Sequence, residues 1–201
     1  MKRRIQILET QQVFKKSIFK INEARLKHEL YNGEMSGEIT RLNLERGDSA
    51  AVIMHDTRND TIILTEQFRY PTVQKGPGWI LEIPAGTVES DEISDPIKTL
   101  RREIIEEFGY SVVNFRKIST FYVSPGGTSE RIHLFYVQVS TGNKVSSGGG
   151  IISEGEDVRV LSIKFDEALK MIENGLLQDA KTIIGLQWMQ VNRAKLATDS
   201  R

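Results

Sequence analysis

The alternation of apolar and polar positions predicts a series of short strands, with one helix in the middle of the chain and two at its end. Residues 12–46 predict two or three strands, with a tight turn at Tyr31-Asn32-Gly33 because Asn and Gly tolerate positive φ. The segment around Ile18 to Leu26 alternates poorly and has many polar residues, so this sheet is predicted to be half-buried. Later strands are predicted where β-branched and aromatic residues stand between turn signals. These segments are Ala50–Met54, Thr61–Phe68, Trp79–Ile83, Phe115–Val123, Ile132–Val139 and Val158–Ile163.

The middle helix is predicted between Asp95, which can cap it, and Gly109, which stands where a terminating glycine belongs. Its apolar residues recur at helical spacing and predict a buried stripe: Ile97, Leu100, Ile104 and Phe108. Two amphipathic helices are predicted at roughly Asp166–Asn174 and Gln178–Arg193. Strands on both sides of a central helix, with helices at the end, indicate a mixed α/β sandwich.

Composition narrows the possible functions. The 27 basic and 27 acidic residues balance, which argues against a general nucleic-acid binder. The chain has no cysteine and only three histidines, far apart in sequence, so a zinc site is disfavoured and a metal would be a hard cation held by carboxylates. Nowhere do 18 apolar residues run uninterrupted, so we expect no membrane span and a cytoplasmic protein.

The chemistry is concentrated in the stretch Arg102-Glu103-Ile104-Ile105-Glu106-Glu107. On a helix, Glu103 and Glu107 share one face, with Glu106 beside them. Two carboxylates about 6 Å apart repel by roughly 3 kcal/mol at an effective dielectric of about 20. A divalent cation would relieve this repulsion, although a solvated acidic face paired with arginines is the alternative for an isolated cluster.

The sequence around this cluster resembles the Nudix box, G-x5-E-x7-R-E-U-x-E-E-x-G-U, in which U is bulky and apolar. Gly86, five residues and Glu92 match its opening, and residues 102–110 match its close. Nine residues separate Glu92 from Arg102 where the pattern has seven. The two extra residues fall before Pro96, so Glu89 is an alternative to Glu92 for the first glutamate of the box.

The resemblance covers nearly the whole chain and is to the branch of Nudix hydrolases that contains bacterial ADP-ribose and GDP-mannose pyrophosphatases. The matching pieces are residues 45–47, 66–69, 82–86, 124–131, 155–157, 179–182 and 186–188. It implies a Nudix fold, an α/β/α sandwich with a mixed sheet at residues 48–201. Residues 1–47 would form an antiparallel sheet that is exchanged across a homodimer and contacts the nucleobase.

The resemblance also implies roles for single residues. The backbone oxygen of Ala85 with Glu103, Glu107 and Glu156 would bind Mg²⁺, or Mn²⁺ as a substitute, and Glu106 would support them. Glu154 would be the general base. Substrate contacts would come from Phe19 and Arg41 at the nucleobase of the partner's site, Arg69 and Gly86 at the diphosphate, and Ser124 and Glu130 at the terminal sugar or its phosphate.

The implied activity is Mg²⁺-dependent hydrolysis of a nucleoside diphosphate sugar, a small-molecule substrate. ADP-ribose, cleaved to AMP and ribose 5-phosphate, is the first candidate because Gly127-Thr128-Ser129-Glu130-Arg131 is closer to that subgroup. GDP-mannose, cleaved to GMP and mannose 1-phosphate, is the alternative, favoured by Gly148-Gly149-Gly150 and Arg116-Lys117. The alternative of another class is a Nudix-fold protein that senses ADP-ribose without cleaving it.

Overall fold

The structure is a computed structural model that describes residues 3–89, 92–93, 95–146 and 157–198. It contains two compact units. The N-terminal unit comprises Met1–Asp48 with Tyr122–Arg131, and the main unit comprises Ser49–Phe121 with Ile132–Arg201. Within the described ranges, no helix is both long and apolar enough to cross a membrane.

The N-terminal unit is built on a three-stranded antiparallel sheet in the order β1-β2-β3. Its strands are β1 (Ile5–Lys16), β2 (Phe19–His28) and β3 (Ile39–Glu45). The predicted start at residue 12 was wrong, because β1 begins at Ile5 and turns into β2 at Ser17, whose φ is 53°. The Asn32-Gly33 turn is confirmed, and it lies between β2 and β3.

The loop between residues 122 and 131 packs along β3. The Leu44 amide donates to the Gly127 carbonyl at 2.9 Å, and the Thr128 hydroxyl donates to the Leu44 carbonyl at the same distance. The Arg131 guanidinium pairs with Asp48 at 2.6 Å. This loop therefore belongs structurally to the N-terminal unit, although it lies some 80 residues further along the chain.

The main unit contains a seven-stranded mixed sheet. Its central path runs β10-β5-β4-β9-β8, with β6 paired to β5 and β7 paired to β4. The strands are β4 (Ser49–Asp56), β5 (Thr61–Phe68), β6 (Trp79–Glu82), β7 (Ala85–Thr87), β8 (Arg116–Tyr122), β9 (Arg131–Val139) and β10 (Arg159–Lys164). Because β4 and β9 run parallel while β4 pairs antiparallel with β5 and β7, the predicted mixed sheet is confirmed.

Helices cover both faces of this sheet. Strand β4 is buried from Ser49 to His55, and its side chains alternate between two apolar clusters. Helix α1 (Pro96–Glu103) packs in one cluster, and α2 (Phe165–Glu173) and α3 (Ala180–Thr198) pack in the other. This confirms the α/β/α sandwich and explains why β4 is apolar without interruption from Ala50 to Met54. Short 3₁₀ turns lie at Tyr70–Thr72 and Thr141–Asn143.

Candidate active site

An acidic cleft of about 260 Å³ opens in the main unit between β7 and the end of α1. It is lined by Gln67, Arg69, Ala85, Gly86, Thr87, Glu89, Arg102, Glu103, Glu106 and Glu107. The structure therefore brings together six of the predicted site residues: Arg69, Ala85, Gly86, Glu103, Glu106 and Glu107. Glu154 and Glu156, the predicted base and fourth metal carboxylate, lie outside the described residues.

The carboxylates of the cleft are presented by a helix that changes its winding. The α-helical part ends at Glu103, and residues Ile104–Phe108 form a π-helical turn. The helix predicted between Asp95 and Gly109 is confirmed in its extent, and its last turn is π-helical. Glu106 and Glu107 lie in this wider turn and Glu103 lies directly before it, and such turns are frequent at functional sites.

The last turns of this helix are held by buried apolar side chains, and the helix ends at Gly109. Leu100, Ile104 and Phe108 of the predicted stripe are buried, so the opposite side of the helix is left to the acidic residues. Gly109 ends the π-helical turn in the left-handed region at φ 70°, and its amide donates to the carbonyls of Ile104 and Ile105.

Gly86 allows the carboxylate of Glu103 to lie directly against β7. A Cβ atom on Gly86 would lie 2.6 Å from Cγ of Glu103, too close for both to keep their positions. Strand β7 in turn is fixed by its antiparallel pairing with β4, in which Ala85 faces Ala51 and Gly86 faces Ala50. The backbone of Ala85 and Gly86 and the Glu103 carboxylate thus form one wall of the cleft.

Arg102 supplies positive charge beside these carboxylates. Its guanidinium lies 3.1 Å from Glu103 and 3.4 Å from Glu106. Burial would lower the pKa of Arg102, but the charges of Glu103, Glu106, Glu92 and Glu89 outweigh it and raise the pKa above its ordinary value. The lining of the cleft holds four glutamates against two arginines, and this excess of negative charge favours a cation.

The donor set of the cleft suits a hard divalent cation. Glu107 is only 5% exposed, and Glu103, Glu106 and Glu89 line the same space. Among the residues that the structure describes, no three His, Asp or Glu side chains are already gathered tightly enough to form a metal cluster. These residues nonetheless suit a hard divalent cation, because their donor atoms are oxygens. The missing side chain of Gly86 also leaves room for the Glu103 carboxylate against β7.

Glu92 and Glu89, the two candidates for the first glutamate of the box, make different contacts. The Thr99 hydroxyl, which is fully buried on α1, donates to Glu92 at 2.6 Å. Glu89, in contrast, lines the cleft. Glu92 therefore ties the loop to the helix despite the two extra residues, and Glu89 is the carboxylate available to a ligand.

A second group of charges surrounds Glu82 next to the cleft. Glu82 is 4% exposed, and its Oε1 accepts a hydrogen bond of 2.7 Å from Nε of Arg69. Its Oε2 pairs with Nζ of Lys181, which also lies 2.9 Å from Asp179. Burial alone would raise the pKa of Glu82, but the charges of Lys181 and Arg69 and their hydrogen bonds hold it below its ordinary value.

Sequence reasoning did not assign a role to Glu82 or Lys181. Both stand in segments that matched the family, Glu82-Ile83-Pro84-Ala85-Gly86 and Asp179-Ala180-Lys181-Thr182. Their partnership joins positions 99 residues apart, and no local pattern signals it. One sequence signal was available: Glu82 stands within the predicted strand Trp79–Ile83. A charged side chain that is buried in such a strand needs a partner of opposite charge.

The remaining predicted substrate residues lie in the N-terminal unit. Ser124 and Glu130 stand in the loop held by β3, and Glu130 is buried against Arg46 at 3.2 Å. Phe19 and Arg41 are exposed, but the register pairs Arg41 with Ala24, five residues along β2 from Phe19. An odd separation puts Phe19 and Arg41 on opposite faces, so one sheet does not bring the two side chains together.

A comparison with known families agrees with this geometry. The model of the NUDIX domain matches residues 45–183, more than half of the chain. The chain belongs to the Nudix family, which confirms the resemblance inferred from the motifs. The range covers the cleft, Glu82 and the first residues of α3.

Relatives and solved structures support the same assignment. GDP-mannose pyrophosphatase of Escherichia coli O9:H4 (strain HS) is 38% identical over 161 residues, covering 78% of this chain and 82% of that protein. The GDP-mannose pyrophosphatase of Shigella dysenteriae serotype 1 (strain Sd197) is 37% identical with the same coverage. The crystal structure of ADP compounds hydrolase is similar in fold, with a TM-score of 0.72 and 15% identity over 96% of each chain. The chain is thus a hydrolase that acts on a pyrophosphate bond.

Proposed function

We propose that the protein is a Mg²⁺-dependent pyrophosphatase that hydrolyses a nucleoside diphosphate sugar. The observation that carries the proposal is the cleft, in which carboxylates for a cation and the guanidinium of Arg69 line one space. A diphosphate needs both, because its oxygens bind Mg²⁺ and accept paired hydrogen bonds from arginine. The sensor alternative is weaker, since Glu103, Glu106 and Glu107 are all present in the cleft.

Five residues of the cleft would bind the metal ion or the diphosphate. Glu103, Glu107 and the Ala85 carbonyl would hold Mg²⁺, with Glu106 supporting them. When bound, the ion supplies charge stabilisation at the phosphate oxygens. Arg69 would grip the diphosphate. Water attacks one phosphorus, a new P–O bond forms and the bridging P–O bond breaks, while Glu154 takes the proton of the water.

For the substrate, we give GDP-mannose precedence over ADP-ribose. The two relatives are named GDP-mannose pyrophosphatases and match 78% of the chain, whereas the ADP-ribose candidate rests on a five-residue loop. GDP-mannose and water would give GMP and mannose 1-phosphate. ADP-ribose, the first candidate from the sequence motifs, becomes the second, supported by Gly127-Thr128-Ser129-Glu130-Arg131.

The direct test is a substrate panel with a matched variant. GDP-mannose, ADP-ribose and ADP-glucose are incubated with Mg²⁺ or EDTA, and the monophosphate products are measured as phosphate released by an added phosphatase. We expect turnover of one sugar nucleotide with Mg²⁺ and none with EDTA. The Glu107→Gln variant should bind the same substrate and turn it over about 100- to 1,000-fold more slowly. Binding by the wild type without turnover of any compound would favour the sensor instead.

We also propose that two chains pair through the N-terminal unit. Every residue of β1 is exposed, including large apolar side chains such as Ile5 at 70% and Ile7 at 63%. β1 is an exposed edge strand of its sheet, and an edge strand with large apolar side chains is a template for association. In such a homodimer, Arg41 would serve the partner's site, where the resemblance places the nucleobase contact. Sedimentation of an active monomer would contradict this proposal.

A further inference from the structure

Arg69 enters the cleft with one of its nitrogens already bonded. Its Nε donates a hydrogen bond of 2.7 Å to Oε1 of Glu82. Among the described residues, the Arg69 side chain donates no other hydrogen bond. About two fifths of the side chain remains exposed, at the wall that also carries Ala85 and Gly86. The two terminal nitrogens are therefore available to a ligand that offers paired oxygens, as a phosphate does.

Glu82 is held from its other side by the start of α3. Nζ of Lys181 contacts Oε2 of Glu82, and the Lys181 side chain is only 11% exposed. Asp179 fixes Lys181 at 2.9 Å and accepts the amide of Thr182 at 3.0 Å, which caps the helix. The two oxygens of Glu82 are thus divided, one for a buried lysine and one for the arginine of the cleft.

The same helix start also fixes the backbone that leads into the cleft. The amide of Ile83 donates to the Thr182 hydroxyl at 2.9 Å, and this hydroxyl donates to Asp179 at 2.6 Å. Glu82 and Ile83 are therefore immobilised together, three and two residues before Ala85. A carboxylate so constrained is a rigid support for a flexible side chain such as that of Arg69.

We propose that Glu82 is a positioning residue, which is clamped by Lys181 and orients the Arg69 guanidinium so that its terminal nitrogens meet the diphosphate. The inference rests on the proposed function and deepens it. Glu82 itself does not touch the substrate. Its contribution is the order that it imposes on Arg69 before the substrate arrives, so that less conformational freedom is lost on binding.

The test is a double-mutant cycle that combines Glu82→Gln with Arg69→Met. In the wild-type background, we expect Glu82→Gln to raise KM for the nucleotide sugar about tenfold or more, because a charge-assisted bond is lost, and to change kcat by less than about threefold. In the Arg69→Met background, the same substitution should change KM by less than about twofold. Equal effects in both backgrounds would show a merely structural role and overturn the inference.

Two further variants keep the test decisive. Asp166→Asn removes a carboxylate that pairs with Arg193 at 2.8 Å on the surface of the same unit, and we expect it to leave KM within about twofold. Arg69→Lys keeps the charge but loses both the bonded Nε and the planar pair of terminal nitrogens, so we expect it to raise KM about tenfold or more, and this variant serves as the test where Glu82→Gln does not fold. A wild-type KM in Arg69→Lys would contradict the positioning role.

Calorimetry with inorganic pyrophosphate separates this inference from the proposed function. The wild type should bind pyrophosphate about tenfold more tightly than Glu82→Gln, and the difference should vanish when Arg69 is methionine. Such binding in a wild type that hydrolyses no nucleotide sugar would refute the proposed function and keep the inference. Normal hydrolysis with equal pyrophosphate affinity in wild type and Glu82→Gln would refute the inference alone.

Discussion

The two units of the chain differ in where their apolar side chains go. In the main unit, β4 is buried from Ser49 to His55 and packs into clusters on both of its faces. In the N-terminal unit, every residue of β1 is exposed, although it carries Ile5, Ile7 and Phe14. The main unit therefore has its own core, whereas the surface of β1 is the kind that a partner covers.

The largest expected effect comes from the same substitution made in both units. Ile53→Ala removes a fully buried side chain from β4 and should lower the free energy of unfolding by about 2–5 kcal/mol. In the unpaired chain, Ile7→Ala removes a side chain that is 63% exposed and should change this free energy by less than about 0.5 kcal/mol, whereas pairing of two chains through β1 would add to the loss.

Urea unfolding of dilute protein, followed by circular dichroism, measures both values for Ile53→Ala and Ile7→Ala. A loss above about 2 kcal/mol for Ile7→Ala that grows with protein concentration would show that a second chain covers β1. Equal losses in both variants at every concentration would contradict the contrast between the units.

The second effect is that a substitution in the main unit should lower kcat, whereas one in the N-terminal unit should raise KM. Glu107→Gln should lower kcat about 100- to 1,000-fold, because it removes a negative charge at the proposed metal position. Arg41→Met, in the N-terminal unit, should raise KM for the preferred nucleotide sugar and leave kcat within about threefold. Steady-state kinetics at saturating Mg²⁺ checks both variants. A fall in kcat for Arg41→Met as large as that for Glu107→Gln would contradict the assignment of turnover to the main unit and of substrate binding to Arg41.

Local sequence patterns predicted the main unit better than the N-terminal unit for a physical reason. A buried strand such as β4 must be apolar and a helix such as α1 must show a stripe, so burial leaves its pattern in the sequence. The exposed strand β1 carries no such constraint, and its seven residues before position 12 were missed. The acidic residues of the cleft were found because a motif of short spacing carries them.

Other features depend on contacts between distant parts of the chain. The π-helical turn at Ile104–Phe108 is one winding among several that the same residues allow, and its packing selects it. The pairing of Glu82 with Lys181 joins β6 to α3 across 99 positions. The loop at residues 122–131 joins the N-terminal unit through Leu44 and Asp48, which no property of the loop alone predicts.

The third effect tests whether the missing side chain of Gly86 is what lets Glu103 lie against β7. Gly86→Ala introduces a Cβ that collides with Glu103, so Glu103 must leave its place against β7. We expect the apparent Mg²⁺ affinity, measured from turnover against Mg²⁺ concentration, to fall about 10- to 100-fold. Gly126→Ala, in the N-terminal unit, meets open space and serves as the matched control. An unchanged Mg²⁺ response in Gly86→Ala would show that Glu103 is not held there for the metal.

The smallest expected effect is the dependence of main-unit stability on pH through His55. Its ring bonds Tyr136 at 2.9 Å and Asp60 at 3.0 Å, and burial lowers the pKa of His55 below its ordinary value of about 6.5, more than Asp60 raises it. The unfolded chain therefore binds more protons just below pH 6.5, so this stabilisation is complete above that pH and is lost as pH falls through the folded pKa.

Thermal unfolding between pH 5 and 8 measures this contribution, with His55→Gln as the reference. We expect the wild type to lose stability relative to His55→Gln as pH falls below about 6.5, because only the wild type must keep an imidazole neutral there. The difference isolates His55 from the carboxylates that titrate in both proteins. Parallel curves for the two proteins would mean that the bond to Asp60 offsets the burial of His55, so that folding does not resist its protonation.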